Sequence, residues 1–130
     1  MNLRQLFYQL KDIRKETDMP LILMGYINPV LRYGIEEFCI KCEETGIDGV
    51  ILPDLTPEIY KASYLELFQE YNLYNVLLIS KETSATRIRE IDRLSRGFIY
   101  MVSSSSTTGI RSNFSNDQKE YFRKVKNMNL

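Results

Sequence analysis

Four short apolar runs limit what this chain can fold into: Leu21-Ile22-Leu23-Met24-Gly25-Tyr26, Gly49-Val50-Ile51-Leu52-Pro53, Val76-Leu77-Leu78-Ile79 and Phe98-Ile99-Tyr100-Met101-Val102. None alternates apolar with polar residues, so each reads as a parallel strand buried on both faces. Their starts recur every ~22–28 residues, about the length of one βα unit.

Helical patterns separate each run from the next. Leu3, Leu6, Phe7, Leu10 and Ile13 form one face of a helix over Leu3–Lys15, with the three-and-four spacing of an amphipathic helix. Asn28-Pro29 is expected to stop the first strand in a turn. A helix over Ile35–Thr45 opens on Glu36 and Glu37 and ends at Gly46, with acids at the positive dipole end and glycine where a left-handed residue is needed. Thr56 and Pro57 serve as N-cap and first helical residue. The helix they open runs over Ile59–Tyr71, with Ile59, Ala62, Tyr64, Leu65 and Phe68 as its apolar face and Asn72 at its end. Thr83 or Ser84 caps Ala85–Ser95, and Gly97 terminates it. Ser115-Asn116-Asp117-Gln118 fits a capping box and opens a last helix through Phe122 and Val125. The expected architecture is α/β, with residues 1–130 as a single domain of parallel βα units. Right-handed crossovers place the helices on one side if the sheet curls into a barrel, or on both faces if its direction reverses. Periodicity is compatible with either.

Asp54 stands just past the carboxyl end of the second run, where α/β folds place ligand chemistry. A capping or turn aspartate accounts for it equally well. Lys and Arg together number 17, as do Asp and Glu, so no charge excess points to a nucleic-acid or membrane-surface partner. The run Arg123-Lys124-Val125-Lys126 reads as a solvated helix face. No secretory pattern or membrane-length apolar segment stands out, and a soluble cytoplasmic protein is expected. Cys39 and Cys42 form a C-x-x-C in mid-helix, and the chain has no histidine. They read as buried structural thiols, and no metal or cofactor is expected. Without histidine, chemistry must rest on carboxylates, hydroxyls and tyrosines.

Three stretches taken together resemble the tryptophan synthase alpha chain: Pro20–Pro29 with Gly34 and Phe38 behind it, Gly49–Glu58, and Gly97–Tyr100 running into Thr107-Thr108-Gly109. They occur in the family's order and near its spacing, over essentially the whole chain. The resemblance implies a (β/α)8 TIM barrel, of which these residues supply about strands three to six with flanking helices. It further implies a lyase of tryptophan biosynthesis, which splits indole-3-glycerol phosphate by a retro-aldol reaction into indole and glyceraldehyde 3-phosphate. The indole passes to a beta chain within a heterotetramer of two alpha and two beta chains.

In the family a glutamate on the second strand and an aspartate in the loop after it carry the acid–base work, and loops after strands seven and eight hold the phosphate. None of these positions falls in this sequence, so the chain is expected to be an inactive fragment by itself, with no catalytic residue. The resemblance implies substrate-pocket roles for Tyr26, Tyr100, Thr108 and Gly109, and indole-pocket positions for Met24, Ile51, Pro53 and Leu78. Period-two geometry agrees, since Met24 and Tyr26 share one strand face, as do Ile51 and Pro53. Packing inside a barrel core explains Met24, Ile51 and Leu78 as well.

Asn28, Pro29, Pro53, Asp54 and Thr56 match the face that docks on the beta chain. Ser103–Ser112 looks like the family's sixth loop, which folds over substrate; its four serines replace the usual glycine-rich pattern. Two other readings stand beside the enzyme: a non-catalytic module docking on a beta chain, and a flavodoxin-like phosphate-binding protein, for which no G-x-G-x-x-G or P-loop is present. The strands beginning at Leu21 and Phe98 would expose sheet edges, and self-association through them is expected.

Overall fold

The fold, described here from a computed structural model for residues 2–102 and 115–130, begins with α1, Leu3–Leu10. Asn2 caps it, accepting the Gln5 N–H at 2.8 Å, while Gln5 accepts the Asn2 N–H at 3.1 Å. The expected helix to Lys15 breaks after Leu10, and its last residues form a separate 3-10 turn, Ile13–Lys15.

Strand β1 spans Ile22–Met24, shorter than the apolar run that encodes it. Asn28-Pro29 does end the strand, but inside a helix rather than a turn: α2 covers Ile27–Tyr33. Proline is tolerated there because first-turn N–H groups have no helical partner to lose. Gly34 then turns the chain at φ 106° into α3, Ile35–Thr45, which has the expected limits and ends on left-handed Gly46.

Strand β2, Gly49–Ile51, is buried along its whole length. Thr56 accepts the Ile59 N–H at 3.3 Å and opens α4, Pro57–Ile59. A π-helical stretch, Tyr60–Tyr64, leads on into α5, Leu65–Glu70. The wider π turn shifts the buried stripe. Tyr60 and Phe68 are buried, whereas Ile59 and Ala62, expected on the packed face, are exposed. Asn72 takes φ 55° at the end, as its position suggested.

Strand β3, Tyr74–Ile79, starts two residues before the apolar run. Ser84 caps α6, Ala85–Leu94, by accepting the Arg87 N–H at 3.2 Å. Strand β4 is Ile99–Met101. The capping box at Ser115 forms as expected, with Gln118 accepting the Ser115 N–H at 2.8 Å, and opens α7, Asn116–Asn127.

The strands pair in the order β1-β2-β3-β4, all parallel. Met24 lies opposite Ile51, Ile51 opposite Val76, and Leu78 opposite Tyr100. The order never reverses among the described strands, so right-handed crossovers put the helices on one face. A flavodoxin-like sheet needs a reversal, and that alternative falls.

On the helix side Leu23, Val50, Leu52, Leu77, Ile79 and Met101 join Phe7, Phe38, Phe68 and Ile88 in one apolar cluster. The residues between them along each strand point the other way. Ile51 and Val76 are buried yet stand outside that cluster.

Candidate functional site

The carboxyl ends of the four strands meet at one rim, and the side chains turned away from the helices line it. On β1 this is Met24; Tyr26 follows in extended backbone as the N-cap residue of α2, so it keeps the same face. The Gly25 N–H donates to the Ile51 carbonyl at 3.1 Å, which carries strand pairing up to that point. Ile51 occupies the same face beside them, and Pro53 follows in the turn that the Leu55 N–H closes onto the Leu52 carbonyl at 3.0 Å. Leu78 and Tyr100 face each other across β3 and β4.

The layer is buried at its centre and open at its flanks. Ile51 is 7% exposed, against 61% for Met24, 66% for Tyr26 and 39% for Tyr100. The structure thus puts Met24, Tyr26, Ile51, Leu78 and Tyr100 on one face, with Pro53 exposed in the turn just past Ile51. Thr108, Gly109 and the Ser103–Ser112 loop lie outside the described residues.

Two further residues of this face were not singled out from the sequence. Tyr74 and Phe98, 39% and 49% exposed, stand two places before Val76 and Tyr100. Period two, applied toward the start of each strand, was the available signal.

Asp54 has a definite partner. Its Oδ1 accepts the Ile27 N–H at 3.0 Å, so the carboxylate after β2 caps the helix after β1. The capping reading is right, although the helix is a neighbour's. Asn28, Pro29, Pro53, Asp54 and Thr56 are all exposed at this same end, and the Asp54 bond ties the two loops that carry them.

Glu58, one turn on, is paired with Arg87 on α6. That bond holds the Glu58 carboxyl below its usual range, so it is a charged tether rather than a proton donor. Arg87 also reaches Glu90 at 3.4 Å.

Cys39 and Cys42 are free and fully buried. Burial, with the nearby Glu36 carboxylate, pushes the Cys39 thiol up to about 12; burial, with Cys39, does the same to Cys42. Neither is nucleophilic or metal-ready at neutral pH. No group of three or more metal-ligating side chains lies together among the described residues.

Residues 1–130 match the family model described as the tryptophan synthase alpha chain. The chain belongs to that family. It is 55% identical to the tryptophan synthase alpha chain of Flavobacterium psychrophilum over 130 residues, all of this chain and 51% of that protein. Against the Bacteroides fragilis alpha chain the identity is 48%, over 49% of that protein. A solved tryptophan synthase α2β2 complex from Pyrococcus furiosus, reported as a basis of mutual activation, superposes with TM-score 0.86 and 31% identity over 98% of this chain and 51% of that one. The alpha chain from Legionella pneumophila gives TM-score 0.80 at 30% identity, over 98% of this chain and 46% of that one. The chain therefore spans about half the length of the tryptophan synthase alpha chains it matches, and its four-stranded sheet is a partial (β/α)8 barrel.

Proposed function

We propose that these residues form the central wall of a lyase site for indole-3-glycerol phosphate. The apolar layer of Met24, Ile51, Pro53 and Leu78 would hold the indole ring, and Tyr26 and Tyr100 would flank it, with Thr108 and Gly109 reaching in from the loop after β4. The observation that carries this reading is that Met24, Ile51, Leu78 and Tyr100, from four strands and up to 76 positions apart, share one face over two successive levels, Met24 opposite Ile51 and, two residues nearer the carboxyl end, Leu78 opposite Tyr100. A face of that kind, apolar and rimmed by hydroxyls, suits a flat aromatic ring with one polar end.

The acid–base pair and the phosphate seat belong to other parts of the family's barrel, so these residues position substrate and exclude water but move no proton. General acid–base groups are worth ~10²–10⁴-fold each. The 130-residue chain alone should therefore show no cleavage. The single apolar cluster of the described residues supports one domain over 1–130. No helix among the described residues is long and apolar enough to cross a membrane, in keeping with a cytoplasmic enzyme.

The direct test is a chimera in which this chain replaces the matching 130 residues of the Flavobacterium psychrophilum alpha chain. A chimera that cleaves indole-glycerol phosphate supports the reading. One that folds but is inert sinks it.

A second reading is a docking module for a tryptophan synthase beta chain, within an assembly of two alpha and two beta chains. It is favoured by the exposed rim of Asn28, Pro29, Pro53, Asp54 and Thr56, held together by the Asp54 bond to Ile27. Acceleration of beta-chain turnover by the 130-residue chain alone would establish it, and absence of any effect would remove it.

A further inference from the structure

Helices α1 and α3 pack on each other, and between them lies an open groove of about 370 Å³. Its floor is aromatic. Phe7 is buried there, with its ring centroid 5.7 Å from that of Tyr33, and Tyr8 stands beside it, 70% exposed.

The rim is basic, with Arg4, Lys11 and Lys41 set against the single carboxylate of Glu44. Among the described residues Arg4 forms no ion pair or hydrogen bond. The Lys11 ammonium lies 4.3 Å from the centre of the Tyr8 ring and has no carboxylate partner there. Lys41 meets Glu44 at 3.4 Å, with both side chains about half exposed, an arrangement that holds neither group firmly.

Exposed lysines are ordinarily solvated and need no ligand. Thr45 sets this groove apart. It ends α3 and is only 7% exposed. A helical threonine commonly turns its hydroxyl back to the carbonyl one turn earlier, and a buried hydroxyl left unpaired is costly. Among the described residues the Thr45 hydroxyl makes no hydrogen bond, yet it is not sealed from solvent, because the residue lines the groove.

We propose that this groove binds a small phosphate ester carrying a flat ring. A phosphate monoester brings up to two negative charges and three acceptor oxygens, matching an excess of two cations on the rim and the free Thr45 donor. The planar fork of Arg4 suits two phosphate oxygens, and the lysines act as point charges. Tyr8 and Tyr33 offer the ring an aromatic wall. The volume falls at the small end of ligand pockets. The helices lie between this groove and the sheet face proposed above to hold substrate, so the two sites are separate.

Titration of the ¹⁵N-labelled 130-residue chain with phenyl phosphate, followed by two-dimensional NMR, tests the proposal. Saturable shifts of the Tyr8, Lys11, Lys41 and Thr45 amide signals are expected at millimolar ligand, with weaker binding of inorganic phosphate. Arg4→Gln combined with Lys41→Gln should raise Kd at least tenfold, and Thr45→Val, which keeps the shape and removes the hydroxyl, at least threefold. Lys61→Gln, an exposed lysine on another helix, should leave Kd unchanged. Signal dispersion reports folding in the same spectra. Should the chain alone be unfolded, the Flavobacterium psychrophilum chimera gives the same residue-by-residue readout and separates this groove from any phosphate seat at the carboxyl end of the barrel. A folded protein without saturable shifts at these four residues overturns the proposal. So does binding that Lys61→Gln weakens as much as the double variant, or inorganic phosphate binding as tightly as phenyl phosphate.

Discussion

The two ends of this sheet differ in how they are held. At the amino end, Arg14 reaches across 34 positions to Asp48 at 2.7 Å and also donates to the carbonyls of Gly46 and Met19. Asp48 accepts the Leu21 N–H at 2.8 Å with the same oxygen, and its backbone bonds to Leu21 and Tyr74. That end is a knot of charged and backbone groups which ties the approach to β1 onto the start of β2. At the carboxyl end, among the described residues, neighbouring βα units are joined by the bond from Ile27 to Asp54 and by the exposed Glu58–Arg87 pair, and Met24, Tyr26 and Tyr100 stand open. Barrels place stability at the first end and chemistry at the second, and among the described strands the first end is the one knotted by a part-buried network while the second carries the face proposed above to hold substrate.

The strongest way to break this comparison is Gly46→Ala. Gly46 sits at φ +87°, and a Cβ there would lie 2.6 Å from Arg14 Cγ and Nε. The substitution strains the backbone and expels Arg14 from its bonds, for a loss of roughly 2–4 kcal/mol in denaturant unfolding. Arg14→Ala removes the bonds without the strain. Its side chain is one-third exposed, so the loss should be about 1–2 kcal/mol.

At the other end Asp54→Ala should cost about 0.5–1 kcal/mol, the usual value of a lost cap, and speed exchange of the Ile27 amide, while Asp54→Asn keeps the bond. Tyr100→Ala should leave stability within about 0.5 kcal/mol. Should Tyr100→Ala destabilise as much as Arg14→Ala, the two ends would not differ as described.

The thiols sharpen the same contrast from inside the core. Both sit at about 12 in the folded chain, against ~8.5 when unfolded. The folded state then holds protons that the unfolded state gives up, so this contribution is complete below pH ~8.5 and is lost as pH rises toward 12. Ellman's reagent at pH 8 should find no reactive thiol until denaturant is added, and then two.

Elements encoded by local chemistry were legible in the sequence. Helix α3 has its expected limits because acids open it and a glycine closes it, and the Ser115 capping box follows the same logic; of the four strands expected to be buried, β2 and most of β3 are, while β1 and β4 are half-buried or exposed. Helix α2 was missed because Asn-Pro is a turn signal in most contexts, and only the first-turn position makes proline harmless. The π stretch at Tyr60–Tyr64 was invisible because it breaks the period on which an apolar face is read. Arg14 and Asp48 carry no pattern, since a contact over 34 positions is set by the fold. At the candidate site, strand parity was enough to put Met24 and Tyr26 on one face beside Ile51, whereas Pro53 falls in the turn past β2. That Leu78 and Tyr100 stand two residues beyond the level of Met24 and Ile51 depends on register between strands, which local sequence does not set. The partner of Asp54 was hidden for the same reason as Arg14.

The measurement that bears most directly on the division is a paired one, made in the Flavobacterium psychrophilum chimera: kcat/KM for indole-glycerol phosphate beside Tm, for Tyr26→Ala and for Arg14→Ala. Tyr26→Ala should lower kcat/KM at least tenfold with Tm unchanged, and Arg14→Ala should lower Tm with kcat/KM unchanged. Equal losses of activity from both, or a Tyr26→Ala chimera with full activity, would contradict the assignment of chemistry to the carboxyl end and stability to the amino end.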